Sequence, residues 1–184
     1  MKRSFLIAAL LVLGSFLFAL PGGYGAIRLG MGVDAVKDAL EKDASFGYRG
    51  DRDVSFAPAS RGKDSKQDDN VIIETDAAYA LAPSFFSRCW FQFIDGKLSV
   101  ITLNLNPQKI DHYSVFQTLC EKYGSPQELT PQKSVWADGG VRLSLERPLV
   151  LKYIDSQVAN DKQTASGVEK TNTEKARDEF LEGL

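Results

Sequence analysis

The sequence is poor in the side chains that most often carry chemistry. It holds one histidine, His112, and two cysteines, Cys89 and Cys120. One imidazole and two thiols make a poor zinc site, so no metal is expected. No serine stands in a G-x-S-x-G turn, which removes the hydrolases built on a nucleophile elbow. His112 follows Asp111 directly, and sequence neighbours on a helix do not face one another. Asp111 therefore reads as a helix cap, and His112 as a surface residue of the first turn. The glycines ahead of "VDAVKDALEK" are no phosphate loop. Val33 and Asp34 follow Gly32 where a Walker-type loop needs lysine and a hydroxyl residue, and Asp34 and Asp38 repel phosphate. The acidic stretch "DSKQDDN" lacks the spacing of a calcium loop. A net charge of -2 and a pI near 5.5 leave no basic field for nucleic acid. No catalytic residue and no cofactor is read from this chain.

What is present first is a leader. Lys2 and Arg3 precede "SFLIAALLVLGSFLFAL", an uncharged run ending at Leu20. This is the layout of a secretory signal peptide. Pro21 and a group of glycines follow, and cleavage after Ala19 or near Gly25 is expected. No cysteine follows the run to take a lipid, so no stable membrane anchor remains after cleavage. The alternative is an uncleaved leader that anchors the chain in the inner membrane, since the run approaches the ~20 residues that span a bilayer. After export, Cys89 and Cys120 could form one disulfide; the other reading is two small buried side chains.

Residues 26–154 read as one folded domain, interrupted by a polar insert at 58–70 and followed by a polar tail at 155–184. Gly32 serves as N-cap to a helix whose Val33, Val36 and Leu40 recur at helical spacing. Strands follow around 71–81 and in "SRCWFQFIDGKLSVITLNLNP", a hairpin about Asp95-Gly96. Counted without a break from that turn, its register pairs Phe93 with Leu98 and Phe91 with Val100 on one face. On the other it pairs Trp90 with Ile101 and Arg88 with Leu103. Each face is then apolar over only half its length, which suits either a twisted packed sheet or an open groove. Asp111 starts a second helix that Gly124 and Pro126 end. "SVWADGGVRLSLE" and "LVLKYI" supply the last strands. The expected class is α+β: two helices packed on a twisted antiparallel sheet, with a degenerate helix-then-strands duplication.

The run of "IRLGMGVDAVKDAL", "FIDGKLSVITL", "LCEKYGSP" and "VWADGGVRLSL" resembles small exported bacterial proteins. Their layout is similar to that of the β-lactamase-inhibitor protein and of the small lipoprotein of the outer-membrane assembly machine. That resemblance implies an extracytoplasmic domain that binds other proteins and performs no reaction. The expected function is thus a periplasmic, non-enzymatic protein-binding or structural module of the bacterial envelope. Its partner would be another envelope or appendage protein. Phe86, Trp90, Ile101 and Leu103 are the candidate contact residues, since aromatic and apolar side chains are enriched where proteins meet. One alternative is a periplasmic hydrolase or small-ligand carrier using an apolar pocket in the sheet. A weaker one is an inhibitor of a periplasmic enzyme or an accessory protein of an appendage. An inhibitor needs a rigid loop that presents an anchor, and the 58–70 insert looks too loose for that.

Overall fold

The computed structural model of the protein describes residues 19–55 and 70–157. The apolar leader through residue 18, all of the polar insert but Asn70, and the tail beyond residue 157 lie outside these residues. The expectations placed on those segments lie outside them too. Among the described residues no helix is long and apolar enough to cross a membrane.

The described chain opens on a ribbon in which β1 (Gly23–Tyr24) folds back on β2 (Ile27–Arg28). Helix α1 (Val33–Lys42) is followed by β3 (Val54–Ser55), β4 (Val71–Asp76) and a single 3-10 turn (Ala77–Tyr79). The two longest strands come next, β5 (Phe86–Ile94) and β6 (Lys97–Leu105). Helix α2 (His112–Tyr123) leads to β7 (Glu128–Leu129), β8 (Lys133–Asp138), β9 (Val141–Glu146) and β10 (Val150–Asp155).

Strands β3 to β10 form one eight-stranded sheet in the order β3-β4-β5-β6-β10-β9-β8-β7. Two meanders run inward from opposite edges and meet where β6 pairs antiparallel with β10, Ile101 opposite Tyr153 and Leu103 opposite Leu151. This overturns the expected α+β class, although the helix-then-strands order does recur, α1 before β3–β6 and α2 before β7–β10. The described residues make a mostly-sheet fold, with a broad antiparallel sheet, a separate two-stranded ribbon and two α-helices. Both helices lie where their periodicity puts them. The four strands of two residues, β1, β2, β3 and β7, are what the sequence reading lacked, because two residues are too few to show alternation.

Local chemistry explains the helices. Asp111 caps α2 by accepting from the Ser114 N–H at 2.9 Å, and the Ser114 hydroxyl adds a 2.6 Å bond to the same carboxylate. Gly124 closes the helix at φ 77°, its N–H reaching the Cys120 carbonyl at 2.9 Å. Gly32 caps α1 in an extended conformation with no side chain to offer. Both helices pack on one face of the sheet. Val36 and Leu40 of α1 and Val115 and Leu119 of α2 join a single core with Ile73, Phe91, Ile101, Leu143 and Trp136. At one end of that core the rings of Tyr24, Phe46, Phe86 and Phe91 meet. Phe46 and Phe86 stack at 4.7 Å, and the Tyr24 ring stands edge-on to both. The ribbon is thereby part of the packed body.

The hairpin is not regular, and this resolves the split faces read from the sequence. Phe93 pairs with Leu98 as expected, but Gln92 pairs with Val100, so Ser99 is an extra residue on β6. A bulge of this kind shifts the phase of everything beyond it. Phe91 therefore faces Ile101, and Trp90 faces Thr102 rather than Ile101. A second bulge at Ser87 and Arg88 leaves Cys89 opposite Leu103 and Phe86 opposite Leu105. With both irregularities, Phe86, Cys89, Phe91, Phe93, Leu98, Ile101 and Leu103 all reach the helix side and are buried. One continuous apolar face replaces two half-faces, and no open groove is needed to account for the pattern.

Candidate functional site

The structure divides the four candidate contact residues. Phe86 is 5% exposed, and Ile101 and Leu103 are fully buried in the core beneath the helices. Trp90 alone points to the other face, half-buried between Glu74 and Thr102 in the ladder. The set therefore does not form one surface. Phe86, Ile101 and Leu103 hold the fold together, for the phase reason given above. Cys89 and Cys120 are both free thiols, Cys89 buried and Cys120 half-buried. Burial pushes the Cys89 thiol up to about 12, which keeps it protonated and unreactive at neutral pH. Among the described residues no group of three His, Cys, Asp or Glu side chains could hold a metal ion.

The sequence reading missed the segment between β4 and β5. Here Tyr79, Leu81 and Phe85 are 43%, 94% and 56% exposed. A single exposed hydrophobe is ordinary. Three within seven residues of one short connection are less so, and this connection is held firmly. Asp76 caps its 3-10 turn through the Ala78 N–H at 2.9 Å, and the Ala80 N–H returns to the Ala77 carbonyl at 3.1 Å. The Leu81 N–H reaches the Ala44 carbonyl at 3.0 Å. Beyond Pro83, the Ser84 carbonyl accepts from Lys109 Nζ at 2.7 Å, and the Ser84 hydroxyl accepts from the Phe86 N–H at 3.1 Å. The Phe85 carbonyl takes the Asn106 N–H at 2.7 Å.

Charge reinforces the frame. Arg52 bridges Glu74 at 2.9 Å and Asp76 at 3.4 Å, and Arg88 approaches the same two carboxylates at 3.7 and 3.5 Å. The Arg49 guanidinium lies 4.3 Å from the centre of the Tyr79 ring. Gly47 passes so close beneath that a methyl group there would collide with the Asp76 carbonyl oxygen. The backbone is thus fixed at both ends while Leu81 and Phe85 project into solvent. Such a pre-ordered apolar pair loses little entropy when covered, which is the property of a binding anchor. The available signal was "YALAPSF", a turn region rich in apolar side chains. Phe86, one of the four candidate contact residues, is turned inward by the bulge behind it, which is not visible in the sequence.

A family model described as the TP0088 domain matches residues 22–165. The chain belongs to this family. The TP0088 match opens just before the β1–β2 ribbon and takes in every strand of the sheet, both helices and the Leu81–Phe85 loop. The TP0088 family has no assigned function. No curated protein matches the chain, and no solved structure does.

Proposed function

We propose that this TP0088 domain protein is an exported, non-enzymatic binding module of the bacterial envelope, and that it holds another envelope or appendage protein through the loop bearing Leu81 and Phe85. The observation that carries the reading is the rigid frame under two exposed apolar side chains. Exposed apolar surface has a cost in water that contact with a partner relieves. The ion pairs around Arg52 and Arg88 supply the polar rim that surrounds such contacts. The apolar leader supports a periplasmic location. The likeness in layout to the β-lactamase-inhibitor protein and to the small assembly lipoprotein points the same way.

The inhibitor reading gains one specific support. A held loop with a projecting apolar anchor is what it requires, and the 80–85 segment provides it where the 58–70 insert does not.

The test is cross-linking in intact envelopes, comparing the wild type with the Leu81→Ser, Phe85→Ser double variant. Both residues are at the surface, so thermal midpoints should agree. A species cross-linked to the wild type should be lost, or weakened about tenfold or more, in the double variant. Equal cross-linking by the two proteins would remove the loop from the contact. Recovery of the native chain from the cytosol with Met1 intact would remove the export reading.

A further inference from the structure

A second feature lies away from the sheet faces. The N-terminal turn of α2, the segment from Leu129 to Ser134 and Arg147 enclose an open cleft of about 520 Å³. This is within the size range of small-ligand sites. Phe116, Leu129 and Pro131 give it apolar walls, with Leu129 two-thirds exposed and Phe116 half-buried.

The charges around the cleft do not cancel. The Lys133 ammonium is held by Glu128 at 2.8 Å, and Arg142 reaches that same carboxylate at 3.1 Å. Asp111 is ionised but committed to its helix, with both oxygens taken by Ser114. Hydrogen bonding from Ser114 holds its pKa below the usual carboxylate range. Arg147 differs from these. Its Nε donates to the Pro131 carbonyl at 3.0 Å, and no carboxylate among the described residues lies within ion-pair distance. Its terminal nitrogens, a ready fork for two oxygens, have no protein acceptor there. His112 lines the same cleft, and its Nε2 is covered and without a protein partner. One unbalanced guanidinium beside an apolar wall calls for a single negative charge on an apolar body.

We propose that this cleft binds a carboxylate carried on an apolar group, with Arg147 taking the carboxylate and Phe116 and Leu129 covering the apolar part. Two sources share that chemistry: a free organic acid and the C-terminal residue of a peptide. The site does not depend on the loop at Leu81 and Phe85.

The test is a titration of the full chain followed by NMR, with His112 as reporter. The probes are 3-phenylpropionate, acetyl-leucyl-phenylalanine with a free carboxylate, and the amide of each. Saturable shifts of the His112 resonances with the acids, and binding of the amides weaker by about tenfold or more, are expected. Arg147→Gln should erase that acid-over-amide preference, and Leu129→Ser should weaken acid and amide alike. Tighter binding of the dipeptide acid assigns the site to peptide termini; binding of 3-phenylpropionate at least as tight assigns it to small acids. Equal binding of acid and amide, no saturable shift with any probe, or a preference that survives Arg147→Gln overturns the proposal. Arg147 and Leu129 are both exposed, so either variant can be read should the other fail to fold.

Discussion

The indole N–H of Trp136 donates to the carbonyl of Gly124 across 2.8 Å, tying the middle of β8 to the C-terminal end of α2. Trp136 is the largest fully buried side chain in the protein, 1% exposed. Helix carbonyls at a C-terminus lack partners within the helix. This one is satisfied by the sheet on which the helix lies, while the Phe116 ring packs 6.1 Å from the indole. A single residue thus fixes both how deeply α2 sits and where it ends. Trp136→Phe removes the hydrogen bond and part of the ring, and should cost about 1–2 kcal/mol. Trp136→Ala should cost about 3–5 kcal/mol. Urea unfolding checks both, through a lowered midpoint at unchanged slope.

Gly47 sits at φ 64° against the backbone of the β4–β5 loop. Alanine there meets both a strained conformation and a backbone oxygen that cannot yield without moving the loop. Gly47→Ala should destabilise by about 2–4 kcal/mol. Because the displaced atoms belong to Asp76 and Ala80, the variant should also weaken whatever binds at Leu81 and Phe85 under conditions where it remains folded. Calorimetry and the envelope cross-linking assay, run side by side, test the two effects separately.

The two cleavage positions read from the sequence differ in what they leave. A cut after Ala19 keeps the ribbon, the Leu29 N–H bond to the Gly22 carbonyl and the Tyr24 ring on Phe46 and Phe86. A cut at Gly25 removes β1 and that ring. A chain beginning at residue 20 should therefore melt several degrees above one beginning at residue 26, and mass spectrometry of the native protein should find the earlier end. Equal melting temperatures for the two chains would show that the ribbon contributes nothing to stability.

His112 also predicts how stability follows pH. Burial, and the neighbouring Arg147 charge, lower its pKa in the fold despite the opposing influence of Asp111. The unfolded chain then binds the proton more readily than the native one, so stability rises with pH through this window. It is complete above the unfolded value of about 6.5 and is lost as pH falls through the lower folded value. As the chain holds no other histidine, His112→Gln should flatten the dependence between about pH 7 and pH 5. Chemical denaturation across that range would show it, and a slope unchanged in the variant would contradict the assignment.

What the sequence shows of this fold is what depends on residues close together. The Asp95-Gly96 turn has φ of 50° and 72°, both positive as a tight hairpin requires. The Asp111 cap, the Gly124 terminus and the Val36–Leu40 stripe are equally local. The bulges are not, because an extra residue on one strand is defined only against its partner. That is why Phe86, Ile101 and Leu103 read as candidate contacts and turn out to be core. The cleft is more remote still. Phe116, Leu129 and Arg147 come from separate elements, and only the pairing of β8 with β9 and the seating of α2 bring them together.

Ser99 bears on how this hairpin tolerates change in length. Because it is the surplus residue, its deletion restores even spacing and leaves every inward side chain inward. Deleting Thr102, a few positions on, would instead turn the Leu103 end of the strand inside out and abandon its alignment with β10. The length of β6 is therefore negotiable at one position, and gaps among members of this family should gather there.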